Sequence, residues 1–333
     1  MSAPESYSFT RYLTSKKTVD DRALNRHVWD AFTDALTKRQ LSAARRLKVL
    51  EVGAGSGTMI ERCLELDLLT RCEYIAIDTD EHNIVAAAAR LPGRAALHGF
   101  VPTEQDDDGA SKTRERIYRL EFERVSSGAN DAAAVQFDSV KIELEQADMF
   151  EYAARPEKIE QIDLVIAHAF LDLVDVPRAL TRLRSLLRAQ ALLYLTINFD
   201  GATILQPEID HDYDALVDRL YHGTMDQRVV AGKPSGDSQT GRHMFGHLRT
   251  AGMDILAAGS SDWVVFAGPE GYVEDEAYFL HFIVDTMHGA LAGHPGLEAD
   301  RFQEWIRKRH EQIEHSELVY IAHQIDFLAQ LRA

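Results

Sequence analysis

The chain has 333 residues, enough for one large α/β domain with additions or for two small domains, with a substantial core in either case. Its 45% hydrophobic and 27% charged residues exclude wholesale disorder and a fibrous fold. With 36 basic against 53 acidic residues the formal net charge is −17, a field that disfavours nucleic acid and anionic membrane surfaces as partners.

Met1 to Lys17 is polar, and no run approaches the ~18 apolar residues needed to cross a bilayer. The two cysteines, Cys63 and Cys72, stand in no zinc or redox spacing. Together these features predict a reducing, cytoplasmic setting. Residues 19–45 carry Leu24, Val28, Phe32 and Leu36 at helical spacing, with Asp20 or Asp21 placed to cap the start. Leu47 to Val52 then reads as a strand buried on both faces. Similar runs recur at Tyr74–Ile77, Val140–Leu144, Ile162–Ala167 and Ala191–Asn198, separated mostly by helical stretches such as Ile60–Leu69, Asn83–Arg90 and Pro177–Leu187. Strand and helix in turn imply parallel pairing, hence a doubly wound α/β sheet.

Two insertions break the rhythm. Residues 93–140 begin with a loop-like acidic run, Asp106-Asp107-Asp108, and hold a candidate strand at Arg116–Val125; residues 201–240 are rich in polar and ring side chains. Gly241–Ala251 reads as a helix, and Met253–Ala258 and Trp263–Ala267 as an antiparallel hairpin. From Glu274 onward the pattern reads as helical. The expected organisation is therefore a helical cap over 1–46, a core over 47–267 carrying both insertions, and a helical extension over 268–333.

The strongest local signal is Glu51-Val52-Gly53-Ala54-Gly55-Ser56-Gly57, where a buried strand runs into alternating glycines and then a helix. Such a turn lets backbone approach a ligand closely and aims a helix N-terminus at it. A dinucleotide site would want a third glycine at position 58, which is Thr58. The next strand ends at Asp78, a carboxylate able to accept from both ribose hydroxyls of an adenosine ligand, whereas Asp80 suits a helix cap.

Glu51, Gly53, Gly55 and Gly57 resemble motif I of the class I, Rossmann-like S-adenosylmethionine (SAM)-dependent methyltransferases. The resemblance implies a mostly parallel seven-stranded sheet with a C-terminal antiparallel hairpin, SAM as cofactor and S-adenosylhomocysteine as product. It places Glu51, Gly53, Ala54, Gly55 and Gly57 under the methionine part, and Asp78 with Thr79 at the ribose. Asp148 and Met149 would lie at the adenine, with Asp148 accepting from its exocyclic amine. Ile162 to Leu171 is similar to the family's fourth strand, whose tip here is His168-Ala169-Phe170-Leu171. That tip lacks the Asn/Asp-Pro-Pro-Tyr/Phe sequence of base-amine and glutamine methylation, and His168 stands where catechol-type members hold Mg²⁺ with an aspartate, so no metal is expected. His168 is read as a cofactor contact or as a base taking the acceptor's proton.

Asn198, Tyr221, Asp226 and Arg228, among rings that include Tyr213 and His222, are candidates for binding a small polar substrate; Arg11 and Tyr12 would close over the same pocket. His243 and His247 have zinc-compatible spacing but no third ligand, and Arg307-Lys308-Arg309 reads as a solvated helix face. The implied activity is metal-independent transfer of a methyl group to an O, N, S or C nucleophile of a small molecule, without nucleic acid or membrane partners and with homodimerisation left open. Two rival readings are a SAM-binding module without turnover and an NAD-dependent oxidoreductase.

Overall fold

The computed structural model describes residues 2–4, 6–42, 45–107, 117–124, 139–230 and 232–332. The helices α1 (Phe9–Ser15), α2 (Lys17–Ala23) and α3 (Arg26–Ser42) lead in. The single helix expected over 19–45 is divided because Asn25 starts a new one: its Oδ1 accepts from the Val28 amide at 3.0 Å, and its own amide donates to Asp326. Val28, Phe32 and Leu36 form the buried stripe of α3, while Asp20 lies inside α2 and caps nothing.

The alternating region follows as β1 (Leu47–Val52), α4 (Thr58–Glu65), β2 (Cys72–Asp78), α5 (Glu81–Leu97), β3 (Phe100–Asp107), β4 (Ile117–Arg124), β5 (Ser139–Gln146), α6 (Met149–Tyr152), β6 (Ile162–His168), α7 (Val176–Leu186) and β7 (Leu187–Gln206). Beyond it come α8 (His211–Asp226), a small hairpin of β8 (Val229–Val230) and β9 (Lys233–Pro234), α9 (Thr240–Thr250), β10 (Met253–Ser260), β11 (Trp263–Val265), α10 (Glu276–Leu291), α11 (Ala299–Glu314) and β12 (Val319–Leu331).

The main sheet runs β10-β12-β7-β6-β1-β2-β5-β4-β3, with β11 beside β12. Its centre, β7-β6-β1-β2-β5, is parallel, and both flanks are antiparallel. This is the Rossmann-like doubly wound arrangement, with helices on both faces. On one face α3, α4 and α5 bury Phe32, Met59 and Leu91 against the strands, and Phe32 stacks on Tyr194 at 4.2 Å. On the other, α7 and α9 bury Leu180, Leu183 and Met244. A third cluster joins α2, α8, α10 and α11 to the far ends of β7 and β12.

Three expectations are corrected. β10 and β11 do not pair with each other as a hairpin; both pair with β12. The segment after Glu274 is helical only through Glu314, and β12 then enters the sheet between β7 and β10. Its pattern is obscured because Asp326, fully buried, interrupts the apolar positions in order to accept from the Ile197 and Asn25 amides. Lastly, Asp106 and Asp107 lie in strand β3, not in a loop, in register with Arg119 and Tyr118 of β4. Asp108, Arg116 and Val125 lie outside the described residues. Among the described residues no helix is long and apolar enough to cross a membrane.

Candidate functional site

β1 lies between β2 and β6, so the chain leaves it on one side and returns on the other. Such a switch point opens a crevice at the carboxyl ends of the strands, where open α/β sheets bind their ligands. A cavity of about 730 Å³ opens there, within the roughly 300–1,000 Å³ typical of ligand pockets. Its floor is the loop after β1, its sides the tips of β2, β5 and β6, and its roof the N-terminal segment, with Val230, Lys233, Pro234 and Ser235 of the second insertion closing the remaining side.

The floor requires glycine. Gly53 and Gly55 have φ of 67° and 53°, and a Cβ on Gly53 would stand 2.4 Å from Phe170 Cδ2. A Cβ on Gly55 would meet Leu13 of α1 at 3.1 Å. Gly57 differs from the expectation: it caps α4, packs toward Ala87 and Leu91, and does not line the cavity. Glu51, Gly53, Ala54, Gly55, Asp78, Thr79, Asp148, Met149 and His168 all line it.

Asp78 fastens the loop to the β2 tip. Its Oδ2 accepts from the Gly55 amide at 2.8 Å, and its Oδ1 accepts from the Asp80 amide at 2.9 Å and from Asn83 Nδ2 at 3.2 Å. Asp80, not Asp78, caps α5 by accepting from the His82 amide. Asp148 caps α6: its Oδ1 accepts from the Phe150 and Glu151 amides. Two polar atoms at the cavity, Ser56 Oγ and Asn83 Oδ1, are buried without a hydrogen-bond partner. Such orphaned groups are costly unless a ligand or water completes them.

Glu51 is 2% exposed and accepts from the Tyr74 hydroxyl at 2.8 Å. Burial pushes its carboxyl up to about 8, with Asp78 adding to the effect and Tyr74 and Arg62 opposing it. His168, at the β6 tip, has both ring nitrogens engaged: Nε2 lies 3.0 Å from Asp20 Oδ2, and Nδ1 lies 2.8 Å from Thr196 Oγ1. Burial brings its pKa down to about 4, against the raising effect of Asp20, so the ring is neutral at physiological pH. An ionised carboxylate only accepts; the Nε2 proton therefore faces Asp20, and Nδ1 accepts from Thr196.

None of the six proposed substrate residues lines this cavity. Arg11 forms a two-point ion pair with Asp275 at 2.8 and 2.7 Å and covers the Tyr278 ring, while Tyr12 stacks on Phe282 at 4.1 Å. The roof is made instead by Phe9, Leu13 and Lys16, which recur at helical spacing on another face of the same segment. Asn198 ties β7 to β12 by donating to Ile325 O at 2.8 Å, and Asp226 accepts from the Ser238 amide at 2.8 Å. Arg228 and Tyr221 lie near Asp172, in a polar region behind the β6 tip. His243 is held by Asp237 at 2.6 Å, and among the described residues no group of three or more His, Cys, Asp or Glu is placed to hold a metal.

No family model and no curated protein matches the chain. Solved structures with a similar outline include the YcgJ protein of Bacillus subtilis, 9% identical with a TM-score of 0.43, over 91% of this chain and 99% of that one. A phosphoethanolamine N-methyltransferase of Haemonchus contortus, with phosphomonomethylethanolamine and S-adenosylhomocysteine bound, is 9% identical with a TM-score of 0.41, over 99% of this chain and 59% of that one, so the present chain spans little more than half of that protein. The geranyl diphosphate C-methyltransferase of Streptomyces coelicolor is 8% identical with a TM-score of 0.40, over 90% and 75%. At this distance the likenesses say nothing about which residues act.

Sequence reasoning missed the roof residues and Asp20. The Lys16/Asp20 pair, four apart, was a visible signal; the meeting of Asp20 with His168, 148 positions away, was not.

Proposed function

We propose that the chain is a SAM-dependent methyltransferase acting on a small molecule. The observation that carries this reading is the convergence, around one cavity, of a positive-φ glycine floor, a β2-tip carboxylate and a β5-tip cap residue. The orphaned Ser56 and Asn83 atoms support a polar ligand there. The residues fit an adenosyl amino acid: Asp78 would hold the ribose, Asp148 and Met149 the adenine, and Glu51 the amino-acid end over Gly53 and Gly55. When bound, the cofactor supplies an electrophilic methyl group on a sulfonium.

The chain's own part is then positioning and exclusion of water. Leu13 and Phe170 close on the glycine floor from above and from the β6 tip, so a ligand between them is held in a drier, fixed geometry. The two bonds made by His168 support a positioning role, since a proton could be taken by Nδ1 only if Thr196 turned away. Such a site suits an acceptor that attacks without a strong general base. We further infer, from the composition and the net charge of −17, a cytoplasmic protein without nucleic acid as partner.

The deciding experiment incubates the intact protein with methyl-labelled SAM and a metabolite extract; label in a small product is expected. Tighter binding of NAD than of S-adenosylhomocysteine, by calorimetry, would overturn the reading. Asp78→Ala is expected to weaken S-adenosylhomocysteine binding by about 1.5–3 kcal/mol, the range for hydrogen bonds to a charged group. Unchanged affinity would remove Asp78 from the ribose.

A further inference from the structure

Lys16 is a buried cation in the wall of the cavity, at the junction of α1 and α2. The residue is 6% exposed, and its side chain shares the cavity lining with Glu51, Gly53, Gly55 and His168. A lysine this deep is rare without a full counter-charge. Its partner is Asp20, with Nζ 3.4 Å from Oδ2, and Asp20 is already shared. The Asp20 carboxylate also accepts from Trp263 Nε1 at 2.9 Å, faces His168 Nε2 at 3.0 Å and stands 3.7 Å from the Arg62 guanidinium. One negative charge thus serves two buried cations and two further donors.

The surroundings do not make up the difference. Arg62 also pairs with Asp21, but Asp21 is shared with Lys17 at 2.7 Å. Asp172 also faces Lys16, but it faces Arg228 as well and, like Glu51 in the cavity floor, is held toward its protonated form by burial; the Trp263 ring lies 5.6 Å from Lys16 Nζ and supplies no full charge. The wall beside the glycine loop is therefore positive, whereas the far side of the crevice carries Asp78, Asp80 and Asp148. A ligand lying across both would place an anionic group at Lys16 and a polar, donor-rich group at the aspartates.

Leu13, one turn before Lys16, touches Gly55, so Lys16 stands over the part of the floor that would carry the amino-acid end of an adenosyl ligand. We propose that Lys16 pairs with the carboxylate of that amino-acid end and so selects adenosyl amino acids over neutral nucleosides. This rests on the adenosyl reading of the cavity. A charge-assisted bond in a partly dry wall is among the stronger single polar contacts, and replacing its anion by a neutral group leaves the ammonium unmatched.

The test is calorimetry on the intact protein with S-adenosylhomocysteine and its carboxamide, which differ at that group alone: the amide is neutral and exchanges one acceptor oxygen for an NH2 donor. The wild type is expected to prefer the carboxylate by about tenfold or more. Lys16→Met should lower affinity for S-adenosylhomocysteine by a similar factor, leave the carboxamide within about twofold, and so erase the preference, while Lys16→Arg retains most of it. Equal binding of the two ligands by the wild type overturns the proposal without any variant, as does a preference that survives in Lys16→Met. Failure to bind either ligand is a different result and removes the adenosyl reading itself.

Discussion

Asp20→Ala is expected to cost about 3–5 kcal/mol of folding stability, the range for leaving a buried charge uncompensated. Asp20 is completely buried, and burial alone would push its carboxyl up; Lys16, His168 and Arg62 together outweigh that and hold it well below the usual carboxylate range. Its removal takes the carboxylate 3.4 Å from Lys16 Nζ, leaves Arg62 to Asp21 alone, and leaves the Trp263 indole N–H and the His168 Nε2–H without an acceptor. Four segments meet at this carboxylate: the N-terminal helices, α4, the β6 tip and β11. Urea denaturation of the wild type and the variant measures the loss. A difference below about 1 kcal/mol, the scale of an exposed ion pair, would show that the knot is solvated. Asp20→Asn should fall between, because the amide keeps the shape but turns a donor toward two cations.

The second large effect is a pH dependence that resides in one group. Glu51 titrates at about 8 in the folded, ligand-free chain, through burial first and Asp78 second, against an ordinary value of 4.5. Between those values the folded state holds a proton that the unfolded state has lost, so stability falls as pH rises, by roughly 1.4 kcal/mol per unit from this group alone. His168 acts oppositely: its depressed pKa of about 4 makes stability rise with pH over its own window. Both slopes exist in the wild type, and Glu51→Gln removes only the first. From about pH 5.5 to 7.5 the wild type should therefore lose roughly 2–3 kcal/mol more than the variant in urea denaturation. Parallel curves would mean that Glu51 is ionised throughout. An ammonium group placed beside Glu51 would reverse the shift, so binding of an adenosyl amino acid at neutral pH should release a proton, seen as buffer-dependent heat.

The parallel centre of the fold is legible because β1 and β6 are short apolar runs that a doubly wound sheet buries on both faces, while β2 and β5 keep enough apolar positions to read as strands beside them. The cavity floor was legible for a related reason: only glycine tolerates the approach of Phe170 to Gly53, and that demand is written locally. What failed depends on contacts distant in the chain. β12 hides behind Gln324 and Asp326, whose burial makes sense only once β7 and Asn25 are beside them. Tyr221, Asp226 and Arg228 read as substrate contacts because they follow Asn198, where the apolar run of β7 predicts a strand end at the cavity. Strand β7 instead continues to Gln206, and the insertion returns to the cavity at Val230, Lys233, Pro234 and Ser235 rather than at the residues named. Arg11 and Tyr12 were assigned to the right segment but the wrong face, since their partners, Asp275 and Phe282, lie on a part of the chain with no sequence signal pointing back.

The placement of β12 between β7 and β10 bears on how the protein is made. Residues 253–260 leave the ribosome well before 319–331, so during synthesis the fifth parallel strand and the future rim strand both wait with open ladders while two helices emerge. Unpaired strand edges are ready templates for pairing with other chains. Nascent chains stalled between the two segments would therefore be far more prone to association than the finished molecule, and a deletion reaching into 319–331 would split the sheet from within where a deletion at its margin would only trim it.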